Sequence, residues 1–182
     1  MTAPSITPEI PAAARPTPSS LRISQQNLDA IRSHGEQTYP YECCGVLLGT
    51  SSRGGVNEAR EALPAGNTRT DSARNRYNIA PQELVRIQRQ GRTKGLDIVG
   101  FYHSHPDHPA QWSATDFAEA HWIGCSYVIT SVMQGAAAQT NSFLLTGSGE
   151  EDKAFADQSL EVVALESGAR ELVADTVLAC RP

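Results

Sequence analysis

Apolar positions recur along the chain in two rhythms: short continuous or alternating runs, and pairs spaced three apart. Leu21-Arg22-Ile23 alternates and reads as a short strand. Ser24 follows it with the side chain of a helix N-cap. Leu28 and Ile31 then share one face of a helix that ends at Gly35 or shortly after. Cys43-Cys44-Gly45-Val46-Leu47-Leu48-Gly49 is an apolar run bounded by glycine, the pattern of a buried strand. Val56 to Leu63 is a second strand candidate. Pro81 suits the first turn of a helix carrying Leu84 and Ile87 on one face and Val85 beside them, and Gly91 or Gly95 ends it. Asp97 to Tyr102 reads as the next buried strand and runs straight into His103-Ser104-His105-Pro106. A helix is expected from about Ser113 to His121. Cys125 to Val132 then reads as a strand with Gln139 to Leu145 as its hairpin partner. Beyond Gly149 the pattern weakens, and Leu160 to Leu165 fits a strand or a helix equally.

No internal repeat interrupts this order. Adjacent strands mixed with interspersed helices point to an α/β (mixed α+β) domain, a mixed sheet with helices on both faces. Residues 1–20 hold Pro4, Pro8, Pro11, Pro16 and Pro18. Proline fixes φ and removes backbone donors, so this stretch is expected to be a disordered or polyproline-II tail. The domain is expected over residues 21–147. Residues 148–182 form an extension that packs on it or is partly disordered. Pro64 to Arg76 (PAGNTRTDSARNR) is a polar loop long enough to be functional or mobile, and its Arg69, Arg74 and Arg76 could meet an acidic partner surface.

Composition narrows the function classes. A chain of 182 residues is long enough for one domain with its own core. Its formal charge of -5 argues against a general nucleic-acid binder. No run of about 18 apolar residues exists, so no membrane-spanning helix is expected. The first twenty residues have no apolar signal-peptide core, and the cysteines (Cys43, Cys44, Cys125 and Cys180) form no C-x₂₋₄-C pair. A cytoplasmic location with reduced thiols is therefore the expectation, with Cys43 and Cys44 as buried strand residues.

Candidate chemistry concentrates after the fourth predicted strand. His103 and His105 are two apart at its end, and side chains two apart on a strand point to the same side. Asp116 falls in the first turn of the following helix. Two imidazoles and a carboxylate leave a fourth tetrahedral position open, the pattern of a catalytic zinc site. On spacing alone a second reading stands beside it. The histidines can be polar residues of a surface loop, and Ser113 with Asp116 is a capping box.

With Glu42 included, the chain reads E…H-S-H-x₇-S-x₂-D through Glu42, His103, Ser104, His105, Ser113 and Asp116. This arrangement resembles the JAMM motif of the MPN+ metalloprotease family. TYPYECCGVLLG looks like the family's Glu-bearing strand, and IVGFYHSHPDHPAQWSATD like its metal-binding segment. The resemblance covers about Leu21 to Leu145. It implies a curved sheet between helices, related to the deaminase-like three-layer fold. It also implies one catalytic zinc held by His103, His105 and Asp116, with Glu42 as general base and Ser113 as hydrogen-bond donor to the oxyanion. NRYNIAPQELVRI and YPYECCG look like the bacterial branch that acts on small sulfur carriers of the CysO-cysteine type. The implied partner is then a ubiquitin-like or sulfur-carrier protein with a Gly-Gly tail. Peptide or isopeptide specificity and homodimerisation stay open. So does the role of His108, a rim residue or a proton relay. The alternative is a non-catalytic MPN-type interaction scaffold. A nucleotide deaminase is disfavoured, because its zinc shell needs a C-x-x-C pair that this chain lacks.

Overall fold

The apolar runs become the strands of a single closed sheet. The structure, a computed structural model, describes residues 19–52, 56–69 and 73–164. In chain order the elements are β1 Ser20–Ser24, α1 Gln25–Thr38, β2 Cys44–Ser52, β3 Val56–Ala65, α2 Pro81–Arg92, β4 Asp97–Pro106, α3 Ala114–Glu119, β5 Ser126–Met133, β6 Ala136–Thr146 and β7 Ala154–Val163. The spatial order is β1-β3-β2-β4-β5-β6-β7, closed into a barrel. β1 pairs in parallel with both β3 and β7, and β4 pairs in parallel with β5. The remaining neighbours are antiparallel.

The mixed α/β expectation holds, and the sheet is barrel-like with few helices, a closure that the expected sheet between helices does not include. The reason is β7. It lies beyond residue 147, hydrogen-bonds to β6 on one side and β1 on the other, and so joins the two ends of the sheet. Its burial is weak, with only Gln158 fully enclosed, which is why its sequence carries no clear alternation. Residues 1–18 of the expected tail and 165–182 of the expected extension lie outside the described residues.

Alternation along β2 sorts the core into two faces. Leu47 packs with Leu21, Ile23, Val99, Val128 and Ile31 of α1. Val46 and Leu48 point the other way, into a cluster with Ile98, Phe101 and Ile87 of α2. The side chain of Ser24 caps α1 by accepting from the Asn27 N–H at 3.2 Å. α1 runs on to Thr38 rather than ending at Gly35, and α3 stops before His121. Cys43 and Cys44 are free and buried, and Cys125 is buried as well. No described helix is long and apolar enough to cross a membrane.

Gly49 sits at a register shift between β2 and β3, and a Cβ there would overlap the Glu58 carbonyl oxygen. Backbone cannot move aside as a side-chain tip can. Gly49→Ala should therefore destabilise the fold by about 3 kcal/mol, the upper range for overpacking. Denaturant midpoints measure it, and an unchanged midpoint would refute the close approach.

Candidate metal centre

β4 runs four residues past the predicted end at Tyr102, to Pro106, and this extension carries His103 and His105 into the sheet. Both are buried, and their Nε2 atoms lie 3.0 Å apart. The alternation of the strand thus converges two imidazoles on one point, as their spacing implies. The third member arrives through the capping of α3. Ser113 Oγ accepts from the Asp116 N–H at 3.1 Å, and Asp116 Oδ2 accepts from the Ser113 N–H at 2.7 Å. That reciprocal cap turns the carboxylate back toward β4. Its oxygens stand 3.3 Å from His103 Nε2 and 3.4 Å from His105 Nε2. The capping and ligand readings of Asp116 are therefore compatible in one geometry. Among the described residues, His103, His105 and Asp116 form a group whose donor atoms all lie within 4.8 Å of one another.

The surroundings fix which ring nitrogens face inward. His105 Nδ1 lies 3.0 Å from the Pro109 carbonyl, which can only accept, so Nδ1 carries a proton and Nε2 is the nitrogen turned toward the group. Pro109 belongs to a turn held on several sides. Ser131 Oγ donates to the His108 carbonyl at 2.7 Å, and Asn141 Nδ2 donates to the Ala110 carbonyl at 2.8 Å. Asp107 accepts from the Gln134 N–H and the Tyr39 hydroxyl. His103 is braced differently, by the ring of Tyr77 stacked on it with centroids 4.6 Å apart. Its own Nδ1 is buried without a partner. Two inward Nε2 atoms beside a carboxylate are a borderline-soft N₂O donor set, and it fits zinc.

Glu42 lies two residues before the first residue of β2 and is buried, with Oε2 unpartnered. Burial pushes its carboxyl up to about 8; His105 pulls against that shift, and the charges of Asp116 and Glu119 add to it. Glu42 thus shares an electrostatic environment with the His-Asp group, although it comes from the far side of the sequence. Ser104, between the two histidines, has a different task. Its Oγ accepts from the Cys43 N–H at 2.9 Å, and its own N–H donates to the Cys43 carbonyl at 3.2 Å, tying the start of β2 to β4.

His108 and other polar or aromatic side chains lie outside the group. His108 contributes its carbonyl to the turn, and Asp107 is a turn anchor. His121 pairs with Glu150 at 2.7 Å on the surface. Trp122 packs on Phe101, while Trp112 is partly exposed and leans on Phe117 and Phe155. Arg69, one of the loop arginines, is already paired with Glu119 at 2.8 Å. Tyr77, Ser131 and Asn141 were not among the residues expected from sequence. Only Tyr77 lay inside a stretch that carried a signal, NRYNIAPQELVRI.

Comparison with known proteins places this geometry in context. Residues 24–145 match the family described as prokaryotic homologs of the JAB domain. The chain is similar to a desampylase of Haloferax volcanii, 38% identical over 119 residues that make up 63% of this chain and 83% of that one. It is also similar to a probable TtuB-protein conjugate cleaving protease of Thermus thermophilus, 28% identical over 102 residues, 56% of this chain and 64% of that one. Among solved structures it resembles a protein from Salinibacter ruber with a TM-score of 0.61 and 35% identity, over 82% of this chain and 96% of the other.

Proposed function

The chain belongs to the family of prokaryotic homologs of the JAB domain, and on that premise we propose that it is a zinc-dependent peptidase or isopeptidase. The bond cut is an amide at the C-terminal tail of a ubiquitin-like or sulfur-carrier protein. The observation that carries this reading is the convergence of His103, His105 and Asp116 in the electrostatic reach of a buried Glu42 whose Oε2 has no hydrogen-bond partner. A relative named as a protease cleaving TtuB-protein conjugates supports a protein conjugate as the substrate. A non-catalytic scaffold would have no use for three intact ligands and a buried base.

His103, His105 and Asp116 would hold the zinc. When bound, zinc supplies Lewis acidity, bringing the pKa of water toward about 7 and polarising a carbonyl. Glu42 takes the proton from the attacking water as the C–O bond forms, and delivers it to the leaving amine as the C–N bond breaks. Its burial raises its proton affinity for the first transfer, and a cation held by the three ligands would favour its ionised form beforehand. Ser113 Oγ accepts from the Asp116 N–H in the helix cap, and in the reaction its hydroxyl would donate to the oxyanion.

Ser113→Gly separates the two roles of that residue, because glycine is a tolerated N-cap with no hydroxyl. It should lower kcat roughly 100-fold, the usual cost of one oxyanion donor, with zinc content and melting temperature nearly unchanged. Turnover within a few-fold of the parent would remove Ser113 from the mechanism. The function itself is tested with zinc-loaded protein and two substrates, a Gly-Gly-ending carrier joined to a lysine side chain and the same carrier in linear fusion. Mass spectrometry should show cleavage after the tail of at least one. Full zinc occupancy with both substrates intact would overturn the proposal.

A further inference from the structure

Asn67 lies in the loop between β3 and α2, outside every motif position, and its amide uses all of its hydrogen-bonding capacity. An asparagine offers two donors and two acceptor sites. Oδ1 accepts from the Arg69 N–H at 3.0 Å and the Asn78 N–H at 3.2 Å. Nδ2 donates to the Arg76 carbonyl at 3.1 Å and to the Glu42 carbonyl at 3.4 Å. Every partner is a backbone group of fixed polarity, so the amide can face only one way. The residue is also paired to Ile79 through an isolated antiparallel bridge, which ties the two ends of the loop together.

The peptide of Glu42 is gripped by this same loop on both sides. Its N–H donates to the Ala73 carbonyl at 2.8 Å, and its carbonyl accepts from Asn67. Glu42 itself precedes β2, whose ladder to β3 and β4 begins at Cys44. The N–H and carbonyl of the proposed base are therefore both bonded to the loop, while the next residue, Cys43, is bonded to Ser104 of β4. We propose that Asn67 is a positioning residue for Glu42, the hub through which the β3–α2 loop sets where the Glu42 carboxyl stands relative to His105 and Asp116. The inference rests on the reading of Glu42 as general base. It assigns a task to a loop whose composition suggested only mobility or partner contact.

Asn67→Asp tests it. The aspartate keeps the two acceptor contacts that hold the loop, but turns an oxygen toward the carbonyls of Arg76 and Glu42. Zinc content should match the parent, while kcat falls about 10- to 100-fold, as for a misplaced catalytic group, and KM moves less than about threefold. Thr68→Val is the control. It deletes the hydroxyl contacts between Thr68 and Asn78 in the same loop and keeps the backbone bond from the Thr68 N–H to the Asn78 carbonyl. Its kcat should be that of the parent. In metal-free Asn67→Asp, the carbonyl carbon resonance of Glu42 should move upfield and its amide should exchange faster. Neither change is expected in Thr68→Val. Unchanged Glu42 resonances and exchange in Asn67→Asp, or equal kcat losses in both variants, would overturn the positioning role. If the parent cleaves neither substrate, the proposed function fails while the NMR comparison still decides the role of Asn67.

Discussion

Glu42→Gln should retain stoichiometric zinc and lose turnover by roughly 100- to 10,000-fold, the range over which a positioned general base contributes. The side chains are nearly isosteric, so the change isolates proton transfer from shape. Gln cannot accept the proton of the attacking water, and it adds no desolvation cost, since burial already disfavours the charged form of this carboxyl. The variant should accordingly fold with at least the stability of the parent. Metal content, melting temperature and kcat measured on one preparation check all three expectations. Turnover within tenfold of the parent would sink the assignment of Glu42. Loss of zinc would mean that Glu42 is a ligand, and the donor set would need redrawing.

The grouping of His103, His105 and Asp116 was readable from sequence because of its layout. His103, His105 and Asp116 lie within a strand end, one turn and the first turn of a helix, where periodicity alone says which way side chains point. The reciprocal cap between Ser113 and Asp116 was visible as a spacing, and in the structure it leaves the carboxylate facing both imidazoles: Oδ2 accepts from the Ser113 N–H, and the two oxygens stand 3.3 and 3.4 Å from the histidine Nε2 atoms. Glu42 is different. Nothing local marks it, because its placement depends on the pairing of β2 with β4 and on a loop that folds back over it. It was legible only through the resemblance of the whole pattern. Tyr77 and Asn67 were out of reach for the same reason, since stacking on His103 and a four-way amide hub are tertiary contacts without a periodic signature.

For the fold, strand and helix positions were readable where one face is fully buried, as in β2, β4 and β5. Closure of the sheet was not. It depends on β7, most of whose side chains are half-buried or exposed, so the alternation that would reveal a strand is missing. It depends as well on β1, a five-residue strand that accepts a parallel partner on each side. Parallel pairing between distant segments leaves no turn signal, unlike the β5–β6 hairpin, where Gln134 and Gly135 adopt positive φ between the strands.

Asp116→Asn should abolish zinc binding at concentrations that saturate the parent. The carboxylate has two tasks in the structure, accepting from the Ser113 N–H and facing both histidines. An amide has one oxygen. If that oxygen keeps the cap, the NH₂ group faces the imidazoles and repels a cation; if it turns to the metal, the cap is lost and α3 loses its first-turn anchor. Either outcome also removes the negative charge that a neutral His pair needs beside it to hold a dication. The affinity should fall by more than about 100-fold, beyond the usual cost of losing an outer-sphere partner. Thermal shift reads this without any substrate. Zinc at a hundredfold excess over its Kd should stabilise the parent and Glu42→Gln by about 2.7 kcal/mol and leave Asp116→Asn unmoved. The paired outcome matters most, because it separates holding the metal from moving the proton. A shift retained in Asp116→Asn would place the metal elsewhere, and a shift lost in Glu42→Gln would merge two roles that the geometry keeps apart.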